Sequence, residues 1–190
     1  MGILRKYIRK MLKEALNISA SIPPPPAESV SELNEVIYQY QNRYNSEQMQ
    51  NDLDTNMGSV FDEIIMSSGY TSDIKNIEKF RERHVDTIHE LKNHYSRARP
   101  DNVAQQFGVD WVGDGINMDT DDTFSYPSGH ACQAYYIALN LADTYPDLRA
   151  QFLQVAEMVA QSRIDRGVHF PSDIAAGKLL AFQLYSTEAN

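Results

Sequence analysis

Residues 162–173 read SRIDRGVHFPSD, and this stretch joins two predicted helices. The pattern before it suggests a helix over residues 147–166, and Gly167 is a plausible stop for that helix. Pro171 suits the first turn of the next helix, which the pattern extends to about residue 185. His169 is therefore expected in the short break between two helices.

His169 and Asp173 form the first candidate pair for chemistry. A carboxylate four residues after a histidine can accept a hydrogen bond from one ring nitrogen, which leaves the other nitrogen as a free nucleophile. Arg163 is predicted near the end of the preceding helix. A histidine and an aspartate at this spacing are more often structural than catalytic, so a catalytic interpretation needs support from other segments.

A second segment, residues 125–130, reads SYPSGH and precedes a helical pattern that runs to residue 144. Its proline suits the opening of a helix, Ser128 can offer a hydroxyl, and Gly129 lets backbone amides approach a ligand closely. Such a helix start binds anions, because unpaired N–H groups and the helix dipole both point at the ligand. His130 would then lie beside a bound phosphate.

A third segment, residues 92–100, reads KNHYSRARP. Lys92 and Arg99 are seven positions apart, about two helical turns, which predicts that they share nearly one face of a helix. Pro100 favours an end to that helix close to Arg99. His94 is interpreted as structural. Taken alone, the segment is typical of a solvated basic helix end.

Together, the three segments contain what phosphoryl transfer requires: cations for the phosphate oxygens, a backbone anion site, an oriented nucleophile and a separate proton donor. Their order and spacing resemble the three-part signature of the type 2 phosphatidic acid phosphatase superfamily, which includes bacterial non-specific acid phosphatases and vanadium haloperoxidases. Every signature position is matched. The signature spans residues 92–173, and the segment before about residue 60 contributes nothing to it.

The resemblance implies a role for each matched position. Phosphate would be bound by the residues Lys92, Arg99, Ser128, Gly129 and Arg163. His169 would attack phosphorus and become phosphorylated while Asp173 holds its ring. His130 would protonate the leaving oxygen and then help water to attack. The family works without a metal or another cofactor, and vanadate can occupy its phosphate pocket as a mimic.

Three charged residues near the signature, Arg97, Asp165 and Arg166, have no role in the resemblance, and we interpret them as surface pairs.

Elsewhere, Ser29 with Glu32 resembles a capping box. One helical pattern begins near residue 72 or 73 and continues to residue 95, while alternating strand patterns are scarce. We therefore predict an all-α protein, a compact helical bundle with the active site at converging helix ends.

The chain is predicted to have two parts. Residues 1–26 comprise a basic amphipathic helix over residues 1–16 and a spacer that ends in four prolines, and residues 27–190 form a single helical phosphatase domain. The amphipathic helix would pack on the same protein or on a second subunit, or else contact a membrane peripherally.

The formal net charge of −9 argues against nucleic acid as a partner, because such binding requires a basic surface. The single cysteine, Cys132, excludes an intramolecular disulfide and is expected to be a buried packing thiol. Neither a membrane-spanning stretch nor a signal peptide is evident, so we expect a soluble, cytoplasmic protein.

The function we expect is that of a metal-independent phosphomonoesterase that acts through a phosphohistidine on small soluble phosphate esters. One alternative is a vanadate-dependent haloperoxidase. Another is a lipid-phosphate phosphatase at a membrane surface, motivated by the basic helix. An inactive binding module would lack at least one catalytic group, and none is missing. The leaving group would contact loops such as residues 107–126, so the motifs leave the physiological ester open.

Overall fold

The computed structural model describes residues 22–43, 47–111 and 123–188. The described residues form α-helices and short connections without a β-strand, so the protein is all-α, as predicted. The predicted helix at residues 1–16 and most of the predicted loop at residues 107–126 lie outside the described residues. The split into parts 1–26 and 27–190 stays a prediction.

The described helices are α1 (Val30–Gln41), α2 (Glu47–Thr55), α3 (Met57–Ser67), α4 (Ile74–Glu82), α5 (Val85–Tyr95), α6 (Pro100–Phe107), α7 (Gly129–Thr144), α8 (Arg149–Asp165) and α9 (Pro171–Glu188). A short 3-10 helix, Pro146–Leu148, connects α7 to α8. None of these helices combines the length and the apolar character needed to cross a membrane.

Helix α7 lies at the centre of the core and packs against α8, α9 and α4. Its buried side chains lie on every side of the helix, as expected for a helix that other helices surround. Cys132 is among them, as predicted. Because α7 begins at Gly129, this packing holds the start of the helix firmly beside α9.

A smaller core cluster joins α1 to the site region. It consists of Leu33, Val36, Val103, Ala104 and Phe170. Phe170 follows His169 in the connection between α8 and α9, so burial of its ring against α1 and α6 anchors that connection. Helix α1, which precedes the whole signature, therefore supports the site.

The single helix predicted from residue 72 or 73 to residue 95 is wrong, because it is two helices, α4 and α5. At the break, the His84 ring packs edge-on against Tyr136, with ring centroids 4.7 Å apart. Both Arg83 and His84 contact the carboxylate of Glu188, at 3.0 and 3.2 Å. These tertiary contacts draw the turn toward the end of α9.

The predicted shared helical face of Lys92 and Arg99 is also wrong. Helix α5 ends at Tyr95, and Ser96 has a left-handed backbone with φ 49°. Arg99 is extended, at φ −74° and ψ 159°, because the residue before a proline avoids the helical conformation. Pro100 opens α6, so Lys92 lies on α5 and Arg99 lies on the link that follows.

Candidate active site

His169 lies in the predicted break between α8 and α9 and is 1% exposed. Its Nδ1 is 3.2 Å from Oδ2 of Asp173, which also accepts a hydrogen bond from the Phe170 amide at 2.9 Å. A proton on Nδ1 satisfies the carboxylate, so the lone pair of Nε2 is directed away from Asp173. Arg99 Nη1 lies 3.2 Å from that Nε2 atom.

The charges around His169 favour the neutral ring. Burial lowers the pKa of His169 well below its usual value, and the positive charges of Arg99, Lys92 and Arg163 lower it further. Burial raises the pKa of Asp173, whereas the ion pair with Arg97, 2.6 Å long, favours its charged form. The arrangement provides a neutral imidazole with a nucleophilic nitrogen beside three cations.

The three predicted cations reach the site from separate elements. Lys92, on α5, donates a hydrogen bond to the Phe124 carbonyl. Arg99 donates from Nε to the Thr123 carbonyl at 2.9 Å and from Nη1 to the Val168 carbonyl at 2.7 Å. These bonds orient the two side chains.

Arg163, on the last turn of α8, is 1% exposed and contacts the carboxylate of Asp54 through Nη1. It is one of the largest fully buried side chains of the protein. A buried guanidinium next to a cavity is a strong site for an anion, because little water screens its charge.

The start of α7 forms as predicted from residues 128–130. Ser128 is the N-cap, and its hydroxyl accepts a hydrogen bond from the Ala131 amide at 3.4 Å. The Ser128 amide donates to the Asp173 carbonyl at 3.0 Å, which ties α7 to the first turn of α9. Gly129 has no side chain that would separate the helix start from a ligand.

A cavity of about 510 Å³ lies where these elements meet. The predicted site residues that line it are Lys92, Arg99, Gly129, His130, Arg163 and His169. Ser128 and Asp173, each 0% exposed, are buried in the layer behind them. Val85, Ile88 and Gln133 line other parts of the same cavity and leave room for a leaving group.

The profile of a family described as the PAP2 superfamily matches residues 80–185, which contain all of the predicted site residues. The chain belongs to the PAP2 superfamily.

Two curated relatives of this PAP2 protein carry phosphatase names. An "Acid phosphatase" of Zymomonas mobilis is 30% identical over 138 residues, which cover 68% of this chain and 51% of the relative. A "Non-specific acid phosphatase" of Providencia stuartii is 28% identical over 182 residues, covering 88% of this chain and 72% of the relative. The match thus spans about half the length of the Zymomonas protein.

The fold is also similar to a solved structure, that of a transmembrane PAP2-type phosphatidylglycerolphosphate phosphatase from Bacillus subtilis. The TM-score is 0.51 at 20% sequence identity, and the match covers 95% of this chain and 94% of that one. At this identity the similarity supports the fold alone.

Sequence reasoning missed one residue of the PAP2 site, Asp54. It lies on α2, outside the matched region, and lines the cavity. Its Oδ1 is 2.9 Å from His130 Nε2 and contacts Arg163. The segment around Asp54 contains no motif, so the sequence held no signal for this contact.

The interpretation of Arg97, Asp165 and Arg166 as surface pairs is wrong, because all three are buried. Arg97 is 4% exposed, and it joins Asp173 to Glu32 of α1, at 2.6 and 2.7 Å.

Glu32 does not close the capping box that its spacing suggests. The Ser29 hydroxyl accepts a hydrogen bond from the Glu32 amide. The Glu32 carboxylate, however, accepts hydrogen bonds from Arg97 and from the Ser172 amide.

Proposed function

We propose that the protein is a metal-independent phosphomonoesterase that acts on small soluble phosphate esters through a phosphohistidine. The observation that carries the proposal is the His169 ring, with its Nδ1 3.2 Å from Asp173 and Arg99 3.2 Å from its Nε2. Two curated relatives named as acid phosphatases support the same reaction class.

In the proposed first step, Lys92, Arg99 and Arg163 neutralise the phosphoryl oxygens, and Nε2 of His169 attacks phosphorus in line. The bond to the leaving oxygen breaks as the new nitrogen–phosphorus bond forms. His130 gives a proton to that oxygen, so the ester departs as an alcohol.

In the second step a water molecule loses a proton to the now neutral His130 and attacks the phosphohistidine. Inorganic phosphate leaves, and His169 is neutral again, with the proton on its Nδ1 still hydrogen-bonded to Asp173. The cations that bind the substrate also stabilise the charge of both transition states, which is the part that a metal would otherwise supply.

The test uses p-nitrophenyl phosphate hydrolysis in the presence of a chelator, with His169→Ala as the variant and His94→Ala as the control. His94 is exposed, packs edge-on against Tyr95 and does not line the cavity. We expect activity in the wild type and in the control and loss of activity in His169→Ala. Brief incubation with labelled substrate should leave acid-labile, base-stable phosphate on the wild type. Sensitivity to the chelator, or an active His169→Ala variant, would refute the proposal.

The alternative activities have direct assays. Halide oxidation with added vanadate and peroxide would indicate a haloperoxidase, and no described residue favours that reaction over hydrolysis. Faster hydrolysis of phosphatidylglycerolphosphate in vesicles than of soluble esters would indicate a lipid substrate. The cytoplasmic location stays a prediction, which cell fractionation would test.

A further inference from the structure

Asp54 is a buried carboxylate that faces the two groups most directly concerned with the leaving oxygen and the phosphate. Its side chain is 2% exposed, and Oδ1 accepts from His130 Nε2 at 2.9 Å and from Arg163 Nη1. Arg166 Nη1 lies 3.8 Å from the other oxygen, Oδ2. The buried Arg163 and the partly buried His130 thus contact the same carboxylate oxygen, which places Asp54 next to both groups.

We propose that Asp54 is a positioning residue that keeps a proton on Nε2 of His130 and so makes its other nitrogen, Nδ1, the proton donor to the leaving oxygen. This inference rests on the proposed phosphatase function. It gives the site two histidine–carboxylate pairs with complementary tasks: Asp173 prepares His169 as the nucleophile, and Asp54 prepares His130 as the acid.

The protons balance through the cycle. His130 begins as an imidazolium and donates its Nδ1 proton to the leaving oxygen. The neutral ring retains its Nε2 proton, which stays hydrogen-bonded to Asp54. In the second step Nδ1 takes a proton from the attacking water, and the imidazolium is restored.

The charges around His130 make this support necessary. Burial and the positive charge of Arg163 lower the pKa of His130 to about 4, and Asp54 opposes both effects. Arg163 and His130 in turn help to lower the pKa of Asp54, so the carboxylate stays charged despite its burial. The other charged or titratable residues that line the cavity in the described chain are Arg81, His89, Lys92, Arg99 and His169. Asp54 is therefore the anion among them that favours a protonated His130.

The decisive variant is Asp54→Asn. The Oδ1 atom of an asparagine can still accept hydrogen bonds from His130 and Arg163 at the same position. The variant therefore keeps the hydrogen-bonding geometry and loses only the negative charge. Protonated His130 then becomes less stable. Hydrolysis of an alkyl phosphate such as glycerol phosphate needs that proton, whereas the p-nitrophenolate of p-nitrophenyl phosphate leaves without it.

We expect Asp54→Asn to lower kcat/KM by about 10²-fold or more with the alkyl phosphate and by less than about tenfold with p-nitrophenyl phosphate. The alkaline limb of the alkyl phosphate profile should move to lower pH. Asp54→Glu restores the charge and should restore the wild-type ratio between the two substrates. Asp165→Asn is the matched control, because Asp165 is also a buried aspartate but accepts a hydrogen bond from Gln161 and does not line the cavity.

Thermal melting establishes that each variant is folded before rates are compared. Equal losses with both substrates in folded Asp54→Asn, or an unchanged pH profile, would overturn the inference while leaving the phosphatase proposal intact. Should Asp54→Asn fail to fold, ¹⁵N NMR of the wild-type protein decides: a neutral His130 ring protonated on Nε2 supports the inference, and a ring protonated on Nδ1 overturns it. A wild-type protein without phosphatase activity would overturn both proposals.

Discussion

Replacement of Gly177 by alanine should damage the site from a distance. Gly177 lies on α9, one turn after Asp173, where α9 crosses the start of α7. A Cβ atom there would come within 3.0 Å of the Ser128 carbonyl oxygen and would lie 3.2 Å from Ala131 Cβ and 3.3 Å from the Cys132 amide nitrogen. Two of these neighbours are backbone atoms, so no side-chain rotation relieves the contact.

The magnitude follows from the distance. Ordinary contacts begin at 3.4 Å, so the start of α7 must separate from α9 by at least about 0.4 Å. Gly129 and His130 move with it. Displacements of 0.5–1 Å at a catalytic group lower rates by up to about 10²-fold, so we expect kcat/KM to fall by about 10–10²-fold, or about 1.4–2.7 kcal/mol in barrier.

The stability of the fold should change as well. Alanine is favoured over glycine within a helix by about 0.5–1 kcal/mol, and overpacking costs about 1–3 kcal/mol, so a net loss of at most about 2.5 kcal/mol in unfolding free energy is expected. Urea denaturation measures it, and hydrolysis of glycerol phosphate, whose leaving oxygen needs the His130 proton, measures the activity.

Gly58→Ala is the matched control. Its added Cβ would meet the carboxylate end of Glu78, which is flexible and can rotate away, so activity and stability should be preserved. A Gly177→Ala variant with wild-type kcat/KM would refute the argument that the contact between α7 and α9 determines the position of Gly129 and His130.

Three further outcomes are expected. Glu32→Gln weakens the 2.7 Å ion pair to Arg97, so the unfolding free energy should fall by about 1–3 kcal/mol and kcat should decrease, as denaturation and rate measurements would reveal. In wild type, attack needs neutral His169, and departure of an alkyl leaving group needs protonated His130, whose pKa is lowered to about 4. With glycerol phosphate, kcat/KM should therefore be bell-shaped with a maximum at acid pH and should fall as pH rises; a maximum above neutrality would contradict this assignment. Cys132 is buried, which raises the pKa of its thiol, so mass spectrometry should detect alkylation by iodoacetamide only after unfolding.

Features that depend on neighbouring residues could be predicted from the sequence. The start of α7 at Gly129, with Ser128 as its cap, follows from the capping and helix-opening preferences of those residues. His169 and Asp173 are four positions apart, about one helical turn, so their spacing alone predicted that the two side chains would meet. The same reasoning failed for Lys92 and Arg99, because the helix between them ends at Tyr95.

The sequence alone determined the helical class, the three signature segments and the local pair that orients His169, because each depends on residues within a few positions of one another. Tertiary structure alone decided that Asp54 meets Arg163, 109 positions away, and that Glu32 meets Ser172 across 140 positions. Contacts at such separations arise from the packing of α1 and α2 against distant helices. They have no characteristic spacing along the chain, so the carboxylates that complete the site became visible only in the folded protein.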